Sequence, residues 1–207
     1  MESKYVAIPL VLIHGPGSTV AGTFGHLLPL LSPERRIIAV NWPAHDRIND
    51  RVGPVSIQHE ADAMNGLLES LGVARADVLG FGQGGSMTLQ MAIRHPERVN
   101  RIIVISADHR RDGLSDDALR SIGARALILG SVQDVIRPEE TVRMARLIVR
   151  SRSIVLPGRH GELLGTEEAG AGMGYADVVA NLVDEFISSS FSRAGRSSVL
   201  PYAVPLR

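Results

Sequence analysis

The stretch Asp77-Val78-Leu79-Gly80-Phe81-Gly82-Gln83-Gly84-Gly85-Ser86 decides how the chain is read. Its first half is an apolar run of the kind that forms a buried strand, and its second half is a glycine-rich turn opening a helix. The strand-turn-helix pattern Gly-x-Ser-x-Gly presents a nucleophilic hydroxyl at a sharp bend. Gly80 and Gly84 supply its framing glycines, and Gly82 stands where the serine belongs. Such a bend forces its central residue into a sparsely allowed conformation, which glycine enters with little penalty. The turn can therefore persist where the hydroxyl has gone.

On either side of this stretch, apolar runs alternate with amphipathic ones. Val6 to Ile13 reads as a strand, with Pro9 placing its beginning near an edge or bulge. Val20 to Leu31 reads as a helix, Arg36 to Asn41 as a short strand, and Ser56 to Leu71 as a helix stopped by Gly72. Asp77 to Phe81 is the strand of the turn, and Ser86 to Arg94 its helix, ended by His95-Pro96. Arg101 to Ser106, Ala124 to Gly130 and Ile154 to Leu156 read as further strands. Helices are expected over Ser115 to Ser121, Arg137 to Val149 and Tyr175 to Ser190, with a glycine-rich loop over Gly158 to Gly174. Alternation of this kind implies right-handed βα units and an α/β fold, a mostly parallel sheet of about six strands with helices on both faces. Residues 1–190 form one domain in this reading, and residues 191–207 a carboxyl-terminal tail.

Composition narrows the function classes. The 207 residues carry 22 basic and 22 acidic side chains, so no long-range field favours nucleic acid or an anionic membrane. Cysteine is absent, which removes thiolate chemistry and disulfides and fits a cytoplasmic protein. No segment has the length of a membrane span or the pattern of a signal peptide. No group of His, Asp and Glu has metal-ligand spacing, and the glycine-rich turn lacks the Lys-Ser/Thr of a phosphate loop. The expected partner is a small organic substrate, with no cofactor.

In a parallel sheet, ligands bind beyond the carboxyl ends of the strands. The residues there are His14 to Gly17, Asn41 and Trp42, Gly82 and Gln83, Asp108 to Arg110, Gln133 and Asp134, and Arg159 and His160. In order and spacing they resemble the α/β-hydrolase family: His14-Gly15 its oxyanion loop, Asn41 to Asp46 its D-x-P-G-H-G segment, Gly80 to Gly85 its elbow. Gly130 to Pro138 resembles the stretch that supplies the acid, and Leu156 to His160 the one that supplies the base.

The resemblance implies that Asp134 orients His160, that His160 is the general base, and that the Gln83 N–H is one oxyanion donor. It places Gly82 at the nucleophile position and Pro16, which has no N–H, at the second donor. Gly15 and Gly17 flank that donor. The family's first strands and its lid domain are missing. Trp42, His109 and Arg110 are expected to touch substrate, while His14, His45, His59 and His95 read as structural, and Ser86 as a packed residue one turn beyond the elbow. An open site and the apolar end Val199 to Leu206 make a homodimer the expected assembly.

Three functions stay open on these residues. A His160–Asp134 dyad performs acid–base chemistry without an acyl-enzyme, such as cyclisation, elimination, isomerisation or ring opening of a natural-product-like molecule. Alternatively, the chain is an ester, thioester or lactone hydrolase carried as an engineered variant with Gly82 in place of serine. In the third, the pocket binds a ligand without turning it over.

Overall fold

The computed structural model describes residues 8–41, 56–111, 113–166, 172 and 174–189. Six strands form one sheet, β1 (Leu10–Ile13), β2 (Ile37–Ala39), β3 (Ala76–Phe81), β4 (Val99–Ile105), β5 (Arg125–Gln133) and β6 (Ser151–Arg159). Their order is β2-β1-β3-β4-β5-β6, and every neighbouring pair is parallel. The elbow strand β3 thus lies inside the sheet, between β1 and β4. Its side chains divide by the two-residue strand period. Val78 faces one core layer with Val11, Ile102 and Ile128, and Leu79 faces the other with Leu12, Ile103 and Leu127.

Helices cover both layers. On one side pack α2 (Ile57–Ser70), α3 (Gln83–Arg94), α4 (Asp116–Arg120) and α5 (Pro138–Leu147), through Met64, Leu68, Met87, Leu119 and Met144. On the other lie α1 (Val20–Phe24) and α6 (Ala176–Ser188), through Phe24, Val179, Val183 and Phe186. Serine side chains cap two of these helices: Ser56 Oγ accepts the His59 N–H at 3.3 Å, and Ser115 Oγ accepts the Ala118 N–H at 3.2 Å.

The differences from the sequence reading have local causes. Pro9 does not mark an edge strand; it precedes the first ladder residue of β1, and its carbonyl accepts the Asp77 N–H at 2.9 Å. The helix expected over Val20 to Leu31 ends at Phe24, and Leu28–Leu30 forms a separate 3-10 turn. Pro29 cannot donate to a carbonyl four residues back, so a continuous helix would lose a bond there. Helix α3 begins at Gln83, because the glycine pair is the first helical turn rather than part of the bend. Strands β5 and β6 run on to Gln133 and Arg159, carrying the chain to the acid and the base. A 3-10 turn, His160–Leu163, replaces the start of the expected glycine loop. Trp42 and His45, together with the tail 191–207, lie outside the described residues.

Candidate active site

Gly82 is the hinge of the site. Its backbone sits at φ 58°, ψ −125°, left-handed territory that a side chain enters only under strain. Its N–H is tied to the Ile105 carbonyl at 2.9 Å, and its carbonyl accepts the Gly85 N–H at 2.9 Å. Gln83 follows as the first residue of α3, so its N–H has no acceptor within the helix and lies at the positive end of the helix dipole.

The ends of β5 and β6 bring the acid and the base together. His160 Nδ1 is 2.7 Å from Asp134 Oδ1. The Asp134 side chain is 1% exposed and His160 29%, so the acid is sealed and the base is open to a ligand. Asp134 is held by three further donors: Ser106 Oγ at 2.6 Å and Ser131 Oγ at 3.0 Å on Oδ2, and the Ile136 N–H at 3.0 Å on Oδ1. Burial pushes the Asp134 carboxyl up, but the hydrogen bonds from His160, Ile136 and Ser106 outweigh it and hold the group below the usual carboxylate range. An ionised Asp134 only accepts, so the Nδ1 proton belongs to His160 and Nε2 carries the lone pair.

That lone pair faces the elbow. A Cβ built on Gly82 would lie 3.8 Å from His160 Nε2, close enough for a hydroxyl on such a carbon to hydrogen-bond the imidazole. The Phe81 ring supports the imidazole with centroids 4.8 Å apart and planes inclined at 43°.

A cleft with two lobes opens over Gly82, and Pro16, Gly82, Gln83 and His160 line both of them. The first lobe, about 250 Å³, adds Gly15, Gly17, Ser18, Thr19 and Thr166, and among the described residues no Asp, Glu, Lys or Arg stands in its wall. The second, about 320 Å³, adds Ser106, Asp108, Arg111 and Ile136. Of the predicted site residues, the structure therefore gathers Gly15, Pro16, Gly17, Gly82, Gln83, Asp134 and His160.

It does not gather His109 and Arg110. His109 is fully buried, with one ring nitrogen 2.5 Å from Glu140 and the other 3.3 Å from Asp116, and it lines neither lobe. Arg110 lines a separate groove beside α4 and α5. The turn after β4 directs the side chains of Asp108 and Arg111 to the cleft instead. Asp108 Oδ1 accepts the N–H groups of Arg110 and Arg111 at 3.1 and 3.2 Å, a local bend that sequence position alone does not phase. His14 is buried, as expected of a structural residue, with Nδ1 2.7 Å from the Gly15 carbonyl. Ser86 is also buried, and its hydroxyl has no hydrogen-bond partner among the described residues.

Sequence reasoning missed Ser106, Ser131, Phe81, Arg111 and Thr166. Ser131 carried a usable signal, since three residues before the acid it is near enough along the chain for its hydroxyl to reach the carboxylate. Ser106, at φ 50°, gave no such sign.

Residues 8–152 match the family model described as the alpha/beta hydrolase fold, well over half of the chain. The chain belongs to that family. A 2-hydroxymuconate semialdehyde hydrolase from Pseudomonas sp. (strain CF600) is 34% identical over 113 residues, 52% of this chain and 39% of that protein. The acetyltransferase component of an acetoin cleaving system from Pseudomonas putida is 29% identical over 119 residues, 57% of this chain and 32% of that one. The chain thus spans under two fifths of the length of these relatives. Among solved structures, the enol-lactonase from Burkholderia xenovorans LB400 superposes with a TM-score of 0.75 at 16% identity, covering 90% of this chain and 94% of that one. A meta-cleavage product hydrolase from Pseudomonas fluorescens IP01 gives 0.74 at 19%, covering 86% and 90%. At those identities the structures show the fold. No helix among the described residues is long and apolar enough to cross a membrane.

Proposed function

We propose that this chain is an enzyme that hydrolyses a small carbonyl compound, an ester or lactone in type, by general-base catalysis without an acyl-enzyme. The observation that carries this reading is the 3.8 Å between His160 Nε2 and the place where a Cβ on Gly82 would stand. A water over Gly82 falls within reach of Nε2, as a nucleophile's proton must for general-base transfer. In this reading His160 takes the proton, the water oxygen attacks the carbonyl carbon, and the Gln83 N–H stabilises the oxyanion. Asp134 keeps the imidazole oriented and stabilises the imidazolium that forms. His160 then returns the proton to the leaving oxygen. The hydrolase names of several relatives support the hydrolytic direction.

A panel of activated esters and lactones tests the proposal, with intact-mass detection of the protein. Turnover without any covalent adduct, abolished in His160→Ala, is expected. An acylated wild-type chain, or turnover that survives His160→Ala, refutes it.

A second reading has its own observation. Pro16 lines both lobes and offers no N–H, so a tetrahedral oxyanion has one backbone donor fewer than the family's arrangement supplies. Proton transfer at a carbon next to a carbonyl, leading to elimination, isomerisation, cyclisation or ring opening, spreads its charge and asks less of that hole. Solvent deuterium entering recovered substrate, without hydrolysis, identifies this chemistry. Saturable binding that is indifferent to His160 identifies a binding protein.

A further inference from the structure

We propose that Asp108, His109 and Glu140 form a site for a divalent transition-metal ion, zinc in the first place, that pins the turn after β4 to the first turn of α5. One donor atom from each residue lies within 4.8 Å of the others. Metal–ligand bonds of about 2.0–2.2 Å span gaps of that order after small side-chain adjustments.

His109 is the decisive residue. It is fully buried, and its Nε2 stands 3.3 Å from Asp116 Oδ1. Asp116 also pairs with Arg143. A neutral ring that donates to this carboxylate oxygen carries its proton on Nε2 and a lone pair on Nδ1.

Glu140 Oε1 lies 2.5 Å from Nδ1, yet among the described residues neither atom makes a hydrogen bond of acceptable geometry, and both atoms are buried. With neither a proton nor a cation between them, two such buried acceptors repel. A proton on Nδ1 would point outward in the ring plane, off the line to the oxygen. A cation at bonding distance along the Nδ1 lone pair reaches the Glu140 oxygen as well, and small side-chain adjustments bring in the Asp108 carboxylate. Two carboxylates and one neutral imidazole match a dication in charge, and one nitrogen with two oxygen donors suits zinc or manganese.

Asp116 on the far side of the ring is the outer carboxylate that orients a metal-bound histidine. The Arg143 guanidinium is engaged by Asp116. The site is separate from the dyad but shares a wall with it. Asp108 lines the second lobe, and Ser106, two residues earlier, donates to Asp134. A metal here would stiffen the wall where the family's lid begins.

The test is titration calorimetry of the untagged, metal-stripped full chain with Zn²⁺, and with Mn²⁺ in parallel. One saturable site is expected, with a rise in the unfolding midpoint on metal addition. His109→Gln, Glu140→Gln and the milder Asp108→Asn should each weaken binding at least about tenfold. Glu139→Gln, one residue along the same helix, and His160→Ala should leave it unchanged. Absence of saturable binding to the wild-type chain overturns the proposal. So does binding that survives both His109→Gln and Glu140→Gln, or that is lost in His160→Ala.

Discussion

Placing a serine at position 82 probes the geometry of the whole site. The backbone there has φ 58° and ψ −125°. A side chain held in such a conformation costs about 1–3 kcal/mol. For a chain of this size each kcal/mol moves the unfolding midpoint by about 2–4 °C, so Gly82→Ser should unfold about 2–12 °C below the wild type. The new hydroxyl sits one bond beyond a carbon 3.8 Å from His160 Nε2, within hydrogen-bond reach of a base whose proton already lies on the other nitrogen. The variant should therefore acylate with an activated ester, giving a stoichiometric burst and a mass increase equal to the acyl group. Gly82→Ala supplies the control, with the same loss of stability and no burst. Refutation takes one of two forms. A Gly82→Ser chain as stable as the wild type removes the strain, and one that gives no adduct while matching Gly82→Ala removes the reach of Nε2.

Other consequences are smaller in scope. Asp134→Asn should lower kcat/KM by about 10²–10⁴-fold, because an amide can donate to the imidazole and favours the wrong tautomer; steady-state kinetics on the best substrate measures this. Ser106→Ala removes a 2.6 Å donor from a buried carboxylate and should cost about 1.5–3 kcal/mol in urea unfolding. Asp62, held down to about 2 by its hydrogen bonds from Arg94 and His95, links stability to acid pH. A depressed carboxylate contributes above its unfolded pKa of about 3.9, and the contribution disappears as pH falls towards about 2. Asp62→Asn should flatten that limb of the stability curve, as read from unfolding midpoints across the acid range.

How much of this was legible without coordinates follows from the range of each interaction. The dyad was readable because acid and base each sit just past a strand, and parallel pairing of β5 with β6 places those two ends side by side. The elbow was readable because its glycines meet a steric demand along the chain. His109 was misplaced for the opposite reason. Proximity to a strand end fixes where its Cα lies but not its side-chain direction, and the imidazole lies between Glu140 and Asp116, away from the cleft. The two lobes were equally illegible, since Thr166 and Arg111 reach the same cleft from turns of independent geometry.

The survival of the elbow without its hydroxyl points to packing as what shapes it. A Cβ on Gly84 would run into the Ile13 carbonyl, and one on Gly85 would come within 2.8 Å of the Ala107 Cβ. Helix α3 is seated against β1 and the end of β4 by its own backbone. Its position fixes Gly82, and through Gly82 the place that His160 faces. Gly84→Ala should consequently harm the protein more than Gly82→Ser, although it touches no reacting group. The clash at 84 is with the backbone of a buried strand, where overpacking typically costs about 1–3 kcal/mol and more when the neighbour cannot yield, whereas the space beside Gly82 is open to the cleft. Thermal unfolding of the two variants side by side decides the point. If Gly84→Ala proves the more stable, α3 can slide on the sheet, and the alignment of His160 with the elbow no longer follows from packing.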